Sequence, residues 1–155
     1  MKELVNVYKY HSLRAAGDVL AELIVDNIGF NEDAVLVPLP TIRRHIRERG
    51  FAHIECLASR ICKHSRHKRQ SRRACISCAK LLVRANSTVQ VGASAEQRAR
   101  QAQEAYAVKP GFDPDKRYIL LDDVWTTGSS MLAAAQKLRS EGAQQVDILV
   151  IAKTV

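Results

Sequence analysis

The segment from Tyr118 to Met131, YILLDDVWTTGSSM, constrains the fold more than any other part of this 155-residue chain. It opens with an apolar run, residues 118–121, which predicts a short buried strand. Two acids, Asp122 and Asp123, follow at the predicted end of that strand, and a helix-forming run comes after the next turn. Because ligands bind outside the carboxyl ends of strands in open α/β sheets, the segment predicts both a sheet and the edge where its ligand binds.

The turn between the acids and the helix has the composition of a phosphate site. Its residues are Thr126, Thr127, Gly128, Ser129 and Ser130. A helix start offers unpaired backbone N–H groups, and hydroxyls beside them suit a phosphate. The neighbouring acids can accept hydrogen bonds from a diol or lie near a hard cation. A phosphate beside a sugar diol describes a ribose 5-phosphate, and the chain contains no Gly-Lys-Ser/Thr that would indicate a Walker loop.

The string LLDDVWTTGSS resembles the phosphoribosyl-pyrophosphate (PRPP) motif of type I phosphoribosyltransferases: apolar residues, two acids, two further residues and Thr-Thr-Gly-Ser/Thr. A strand, an acidic helix entrance and a glycine turn would explain each feature singly, but not the whole string in one context. The resemblance implies that Asp122 and Asp123 are the catalytic acids, holding the ribose hydroxyls. It also implies Mg²⁺ near both acids, bound mostly through ligand oxygens and water. The hydroxyl turn would cradle the 5-phosphate.

A second string, VPLPTIRRHIRERGF, follows the strand predicted over residues 34–37 and contains an arginine cluster. Guanidinium groups match phosphate oxygens, so the position favours an anion site over a solvated basic loop. With the PRPP motif, the string resembles the competence protein ComF family, whose pattern is Val-Pro-Val-Pro, a spacer and Arg-x-Arg-Gly-Phe-Asn. Here Ala52-His53 replaces the usual Asn-Gln. The pyrophosphate-binding residues implied by the resemblance are Leu39, Pro40, Thr41, Arg47, Arg49 and Arg98.

Residues 84–107 correspond to a mobile lid that closes over PRPP in related transferases. The ComF pattern is matched by Arg84, Thr88, Gln90, Gly92, Ser94 and Arg98, while Ala93 and Gln101 replace its usual Leu and Asn. A segment rich in small and polar residues suits a lid that becomes ordered when a ligand arrives. An exposed alanine-rich helix explains the composition equally well, but not the order of the residues.

The cysteines raise the question of zinc. Cys75 and Cys78 have metal-ligand spacing, and a tetrahedral site could be completed upstream by Cys62, His64 and His67. The spacing is irregular, so reduced thiols are favoured. Many ComF chains carry a separate N-terminal four-cysteine zinc ribbon, which this sequence lacks. We therefore expect residues 1–155 to form a single phosphoribosyltransferase-like domain.

The net charge of +8 and a pI near 9.6 indicate an anionic partner: a phosphate ligand, nucleic acid, or both. The basic run at residues 63–73 is typical of a solvated, mobile connection. The alternative is a salt-sensitive nucleic-acid contact, although aromatic residues at 5% provide few stacking platforms for single strands. No apolar run is long enough for a membrane span, and the N-terminus has no signal-like apolar core, so we expect a cytoplasmic protein.

Alternating strands and helices predict an α/β fold: a parallel-sheet, Rossmann-like type I phosphoribosyltransferase core with helices on both faces. Helices are expected at 13–28, 51–63 and 129–141, and strands at 34–37, 80–84, 118–121 and 146–152. The loops at 38–50, 84–107 and 122–130 each follow a strand, so they can converge on one rim.

Two functional classes remain open at this point. The first is a transferase that uses PRPP, or binds a ribose 5-phosphate-containing nucleotide, acts on an unidentified acceptor, and is linked to DNA uptake in natural competence. The second is a non-catalytic sensor of PRPP or nucleotide, or a protein that binds single-stranded DNA or the competence machinery. Related transferases often dimerise, and the sequence leaves a homodimer open.

Overall fold

A four-stranded parallel sheet is the central feature of the computed structural model, which describes residues 14–28, 30, 32–67, 75–85 and 105–153. In chain order the described elements are α1 (Arg14–Ile28), β1 (Ala34–Pro38), α2 (Arg43–Arg49), α3 (His53–His67), β2 (Ile76–Cys78), β3 (Leu82–Arg84), β4 (Tyr106–Val108), β5 (Arg117–Trp125), α4 (Ser129–Ser140) and β6 (Gln145–Lys153). The strand order in the sheet is β2-β1-β5-β6, and every neighbouring pair is parallel. The predicted parallel α/β core is confirmed.

The two faces of this sheet are covered by different elements. On the helical face, α1 and α3 pack against Leu36, Ile119 and Leu121. On the arm face, α4 packs with an antiparallel pair of strands, β3 and β4, which we call the arm. Because successive residues of a strand point to opposite faces, β1 can supply both cores, and all five of its residues are buried. Helices therefore lie on both faces, as predicted.

The strand predicted over 80–84 belongs elsewhere in the fold. The third parallel strand is β2, whose Ile76 pairs with Ala34 of β1. The chain then leaves the sheet edge, and only residues 82–84 are extended, paired antiparallel with β4. Strand β4 was not predicted, since its first two residues fall within the expected lid. The prediction failed because a three-residue strand carries too short a pattern to reveal its sheet partner.

Strand β5 is longer than its apolar run, which corrects the predicted end at residue 121. Its backbone continues to pair with β6, with Asp122 opposite Val150 and Trp125 opposite Lys153. Both acids therefore lie within the strand and not after it. Acids can lie within this strand because its backbone pairs with β6, while the two carboxylates contact other residues at the end of the sheet.

The basic segment after β1 is helical where a loop was expected. Helix α2 includes an Arg44–Glu48 ion pair one turn apart, at 2.7 Å, and ends at Gly50, which has φ of 79°. Helix α3 starts at His53 and extends to His67, four residues beyond the predicted end, into the basic run. The remaining helices and strands match their predicted ranges to within one residue. None of the helices in the described part of the chain has the length and apolar character needed to span a membrane.

Candidate functional site

A cavity of about 160 Å³ lies at the carboxyl ends of β1 and β5. The described residues lining it come from the segment after β1, the start of α3, the arm, the end of β5 and the start of α4. They are Leu39, Pro40, Thr41, Ile42, His45, His53, Arg84, Asp122, Asp123 and Ser130. Residues from all three segments predicted to converge on one rim thus line a single cavity.

The two adjacent acids have different environments because they point towards opposite faces of the sheet. Asp123 points to the helical face, is 8% exposed, and places its Oδ2 2.5 Å from Nε2 of His53. Asp122 is less buried, and its Oδ1 accepts a hydrogen bond from the backbone N–H of Asp123 at 2.9 Å. It lies close enough to Tyr106 of the arm to contribute to that residue's pKa, which is raised chiefly by burial and lowered in part by Arg84. Each acid therefore contacts a different structural unit.

The hydroxyl turn forms the start of α4, as the phosphate-site prediction requires. Thr127 Oγ1 lies 2.9 Å from Ser129 Oγ and also accepts from the backbone N–H of Ser129 at 3.4 Å. Ser130 lines the cavity, while the side chains of Thr126, Thr127 and Ser129 are exposed and are not among its lining residues. An exposed hydroxyl cluster at the first turn of a helix is suited to a phosphate.

Gly128 is required by this geometry. Its φ is 76°, in the left-handed region, and a Cβ added there would clash with the indole ring of Trp125. Any larger residue would therefore meet both backbone strain and the indole ring. The glycine allows the chain to turn from β5 into α4 directly over that ring, so the start of the helix lies next to the acids.

The predicted pyrophosphate loop, Leu39 to Thr41, is fixed to the motif strand. The N–H of Leu39 donates to the carbonyl of Leu121 at 2.9 Å, and the carbonyl of Pro40 accepts from Nε of Arg84 at 3.2 Å. Thr41 Oγ1 is buried in the cavity wall and has no hydrogen-bond partner among the residues that the structure describes. A buried hydroxyl left unsatisfied costs free energy, so a ligand atom that bonds to it would be stabilised.

Among the described residues, the arginine that lines the cavity is Arg84, which was not predicted as a pyrophosphate contact. Arg47 is exposed on α2, Arg49 ends that helix, and Arg98 lies outside the described residues. Arg84 lines the cavity instead, with its guanidinium carbon 5.4 Å from the centre of the Tyr106 ring. The sequence signal for Arg84 was its position at a strand end, where it matched the first arginine of the lid pattern.

Two histidines at the cavity were also missed as site residues. His53 opens α3 and bonds Asp123, and its ring meets Phe51 edge-on with the ring centres 6.5 Å apart. His45 lies on α2 with Nδ1 3.3 Å from Oε2 of Glu48. The available signal was the location of both residues in the segment between two cavity-forming elements.

The cysteines form a thiol contact among the described residues. A hydrogen bond between Cys62 of α3 and Cys78 of β2 raises the pKa of Cys62 and lowers that of Cys78. His64 lies towards Asp18, at 3.7 Å, and the cysteines are free thiols. Within the described ranges, no three His, Cys, Asp or Glu side chains are arranged to hold a metal ion. Cys62 and Cys78 are thus in contact, but the proposed ligands do not form a metal site within those ranges.

No protein-family model matches the sequence, and no curated protein matches it. Solved structures do match. The structure of "the allosteric regulatory enzyme of purine biosynthesis" is similar with a TM-score of 0.57 and 14% identity, over 87% of this chain. A hypoxanthine phosphoribosyltransferase from Staphylococcus aureus is similar with a TM-score of 0.50 and 10% identity, over 89% of this chain.

This chain spans 25% of the first of those proteins and 72% of the second. At such low identities the likeness concerns the fold. It confirms the predicted type I phosphoribosyltransferase architecture.

Proposed function

We propose that this protein binds PRPP with Mg²⁺ and transfers the phosphoribosyl group to an acceptor nucleophile. The observation that supports this function best is the single cavity in which the acid pair, the start of α4 and the loop after β1 meet. A ligand with a sugar diol between two phosphate groups needs these three kinds of contact side by side. The phosphoribosyltransferase fold supports the same assignment.

The sugar and its 5-phosphate occupy the side of the cavity formed by β5 and α4. Asp122 and Asp123 accept hydrogen bonds from the ribose hydroxyls. The 5-phosphate lies against Thr126, Thr127, Gly128, Ser129 and Ser130. Backbone N–H groups and hydroxyls at the first turn bind its oxygens, and the helix dipole favours its negative charge.

The pyrophosphate lies on the opposite side, against the backbone of Leu39, Pro40 and Thr41. The unsatisfied hydroxyl of Thr41 donates to one of its oxygens, and Arg84 opposes its charge from the arm. We retain Arg47, Arg49 and Arg98 as further pyrophosphate contacts on the basis of the sequence pattern. Charge-assisted bonds of this kind are stronger than neutral ones.

The donor groups at the cavity fit Mg²⁺. Two carboxylates at one strand end provide the hard oxygen ligands that this ion prefers, and the remaining positions suit diphosphate oxygens and water. When bound, the ion would neutralise part of the leaving group's charge. Asp122 and Asp123 are the residues that would hold it.

In the reaction, the bond from the anomeric carbon to pyrophosphate breaks and a bond to the acceptor forms. The transition state has oxocarbenium character, so the protein mainly holds the sugar in place, stabilises the departing charge and excludes water. The acids, which lie in β5, hold the ribose, and the loop after β1 holds the pyrophosphate. The Leu39–Leu121 hydrogen bond attaches this loop to β5.

The finer assignments rest on sequence. Resemblance to the ComF family supports a link to DNA uptake and natural competence. A cytoplasmic location and one domain over residues 1–155 are retained from the apolar pattern and the length of the sequence. The net charge of +8 supports the alternative, a non-catalytic sensor or a protein that binds single-stranded DNA. Such binding would weaken steeply with salt. A homodimer fits either class.

The test of transfer is release of pyrophosphate from PRPP, measured with Mg²⁺ against a panel of purine and pyrimidine bases and simple amines. Acceptor-dependent release that is lost in D122N/D123N supports the transferase. The matched control, E22Q/D115N, makes the same change in charge at two exposed acids and should release pyrophosphate as the wild type does. Tight PRPP binding without release for any acceptor would favour the sensor instead.

A further inference from the structure

We propose that His53 is a positioning residue for Asp123, holding that carboxylate in one orientation before any ligand arrives. This inference rests on the proposed function and assigns a role within the same site. The observation is the pair itself: Nε2 of His53 lies 2.5 Å from Oδ2 of Asp123 at the cavity wall.

Burial makes this contact energetically important. His53 is 4% exposed and Asp123 is 8% exposed, so neither group is well hydrated. A buried polar group that loses a hydrogen bond cannot regain it from bulk water. Burial therefore makes the hydrogen bond with His53 a strong constraint on the orientation of the Asp123 carboxylate.

The two partners are attached to rigid elements, which fixes the direction of the bond. Asp123 lies in β5, where backbone pairing with β6 extends on both sides of it. His53 is the first residue of α3, whose Ile54 and Leu57 are buried in the helical-face core. The rings of His53 and Phe51 also meet edge-on, with their centres 6.5 Å apart. Both partners of the hydrogen bond are therefore packed against neighbouring parts of the fold.

A carboxylate held in this way is already oriented when the ribose hydroxyls reach it. Binding then avoids the loss of rotamer freedom that an unrestrained aspartate would incur. Asp122 is more exposed and bonds the backbone N–H of its neighbour, so it is held differently. The acids of the motif are therefore unequal: Asp123 is preorganised by α3, and Asp122 faces the arm.

The test is calorimetric titration with PRPP and Mg²⁺ of wild type, His53→Leu, His53→Gln, Asp123→Asn and the double variant H53L/D123N. His53→Leu should weaken PRPP binding by about tenfold or more, because Asp123 loses the hydrogen bond that orients its carboxylate. His53→Gln offers an amide N–H at similar reach and should restore most of the affinity. In the D123N background, His53→Leu should have no further effect.

The outcomes separate the two proposals. If wild type shows no PRPP binding, the proposed function and this inference both fall. If wild type binds and His53→Leu binds equally well, only the positioning role falls. The same applies if H53L/D123N binds more weakly than D123N, because His53 would then act by another route. Should His53→Leu not fold, the comparison of H53L/D123N with D123N decides the question, because the double variant replaces both partners of the buried contact.

Discussion

The two faces of the central sheet are packed by helices whose buried side chains differ in size. On the helical face, α3 fills the core with Ile54, Leu57 and Ile61. On the arm face, α4 presents three consecutive alanines, Ala133, Ala134 and Ala135, all buried. Large interlocking side chains hold a helix firmly at a distance, whereas small ones let its backbone approach the sheet.

This difference explains how one site is built from both faces. The firmly packed helical face provides His53, which holds Asp123. The closely packed arm face places the start of α4 beside the end of β5, with Gly128 directly against Trp125. Rigid positioning of an acid and close approach of a phosphate-binding helix thus come from opposite sides of one strand.

The largest expected effect tests the close approach. Gly128→Ala should lower the free energy of unfolding by about 2–6 kcal/mol, combining left-handed backbone strain with the clash against the indole. Gly50→Ala is the matched control, since Gly50 has φ of 79° and a Cβ there would meet nothing within 4 Å. Urea denaturation of both variants measures the difference. Equal losses would mean that Trp125 moves aside freely and that the close approach has no energetic basis.

A second prediction contrasts the two cores. Leu57→Ala should cost about 2–5 kcal/mol through the cavity it leaves in the helical face. Ala134→Val should cost about 1–3 kcal/mol by overpacking. It should also weaken PRPP binding, because it pushes α4 away from the sheet. Unfolding curves and PRPP titration well below the melting temperature give both quantities.

The proposed contrast between the two faces would be contradicted if folded Leu57→Ala bound PRPP more weakly than the wild type while Ala134→Val bound it equally well. In that case the helical face, and not α4, would set the position of the phosphate site.

A smaller effect distinguishes two buried tyrosines of the arm face. The hydroxyl of Tyr118 donates to the carbonyl of Asp113 at 2.8 Å and accepts from its N–H at 2.9 Å. Tyr118→Phe should therefore cost about 1–2 kcal/mol without changing PRPP affinity. The buried hydroxyl of Tyr106 makes no well-formed hydrogen bond to a described residue, although an interaction with Ser130 contributes to its pKa, so Tyr106→Phe should cost less than Tyr118→Phe. A larger loss in Tyr106→Phe on denaturation would contradict this assignment.

The smallest effect concerns the thiol pair on the helical face. The hydrogen bond between the two thiols lowers the pKa of Cys78 and raises that of Cys62. The thiolate of Cys78 should therefore form at a lower pH than the thiolate of Cys62. Alkylation with iodoacetamide followed by peptide mass spectrometry should therefore label Cys78 first. Earlier labelling of Cys62 would show that the hydrogen bond runs the other way.

The sequence was sufficient for the parallel α/β core, because strands buried on both faces read as continuous apolar runs such as Ala34–Pro38. It was also sufficient to predict that the acid pair, the hydroxyl turn and the loop after β1 lie at one edge of the sheet. The phosphoribosyltransferase architecture followed from the PRPP-like string alone.

What the sequence did not reveal depends on contacts between distant residues. The bond from His53 to Asp123 joins residues 70 positions apart, and no local pattern marks it. The end of β5 is set by its pairing with β6, so the apolar run stopped four residues too early. Likewise, Arg84 lies at the cavity because β3 pairs with β4 and not with the main sheet. That pairing is determined by tertiary packing.

Titration of the wild type with PRPP in the presence of Mg²⁺, alongside D122N/D123N, tests the central claim most directly. The structure predicts saturable, Mg²⁺-dependent binding at one site per chain, lost in the double variant and retained in E22Q/D115N. Heats equal to those of dilution for the folded wild type would contradict the claim. The cavity at the end of β5 would then have some other ligand or none.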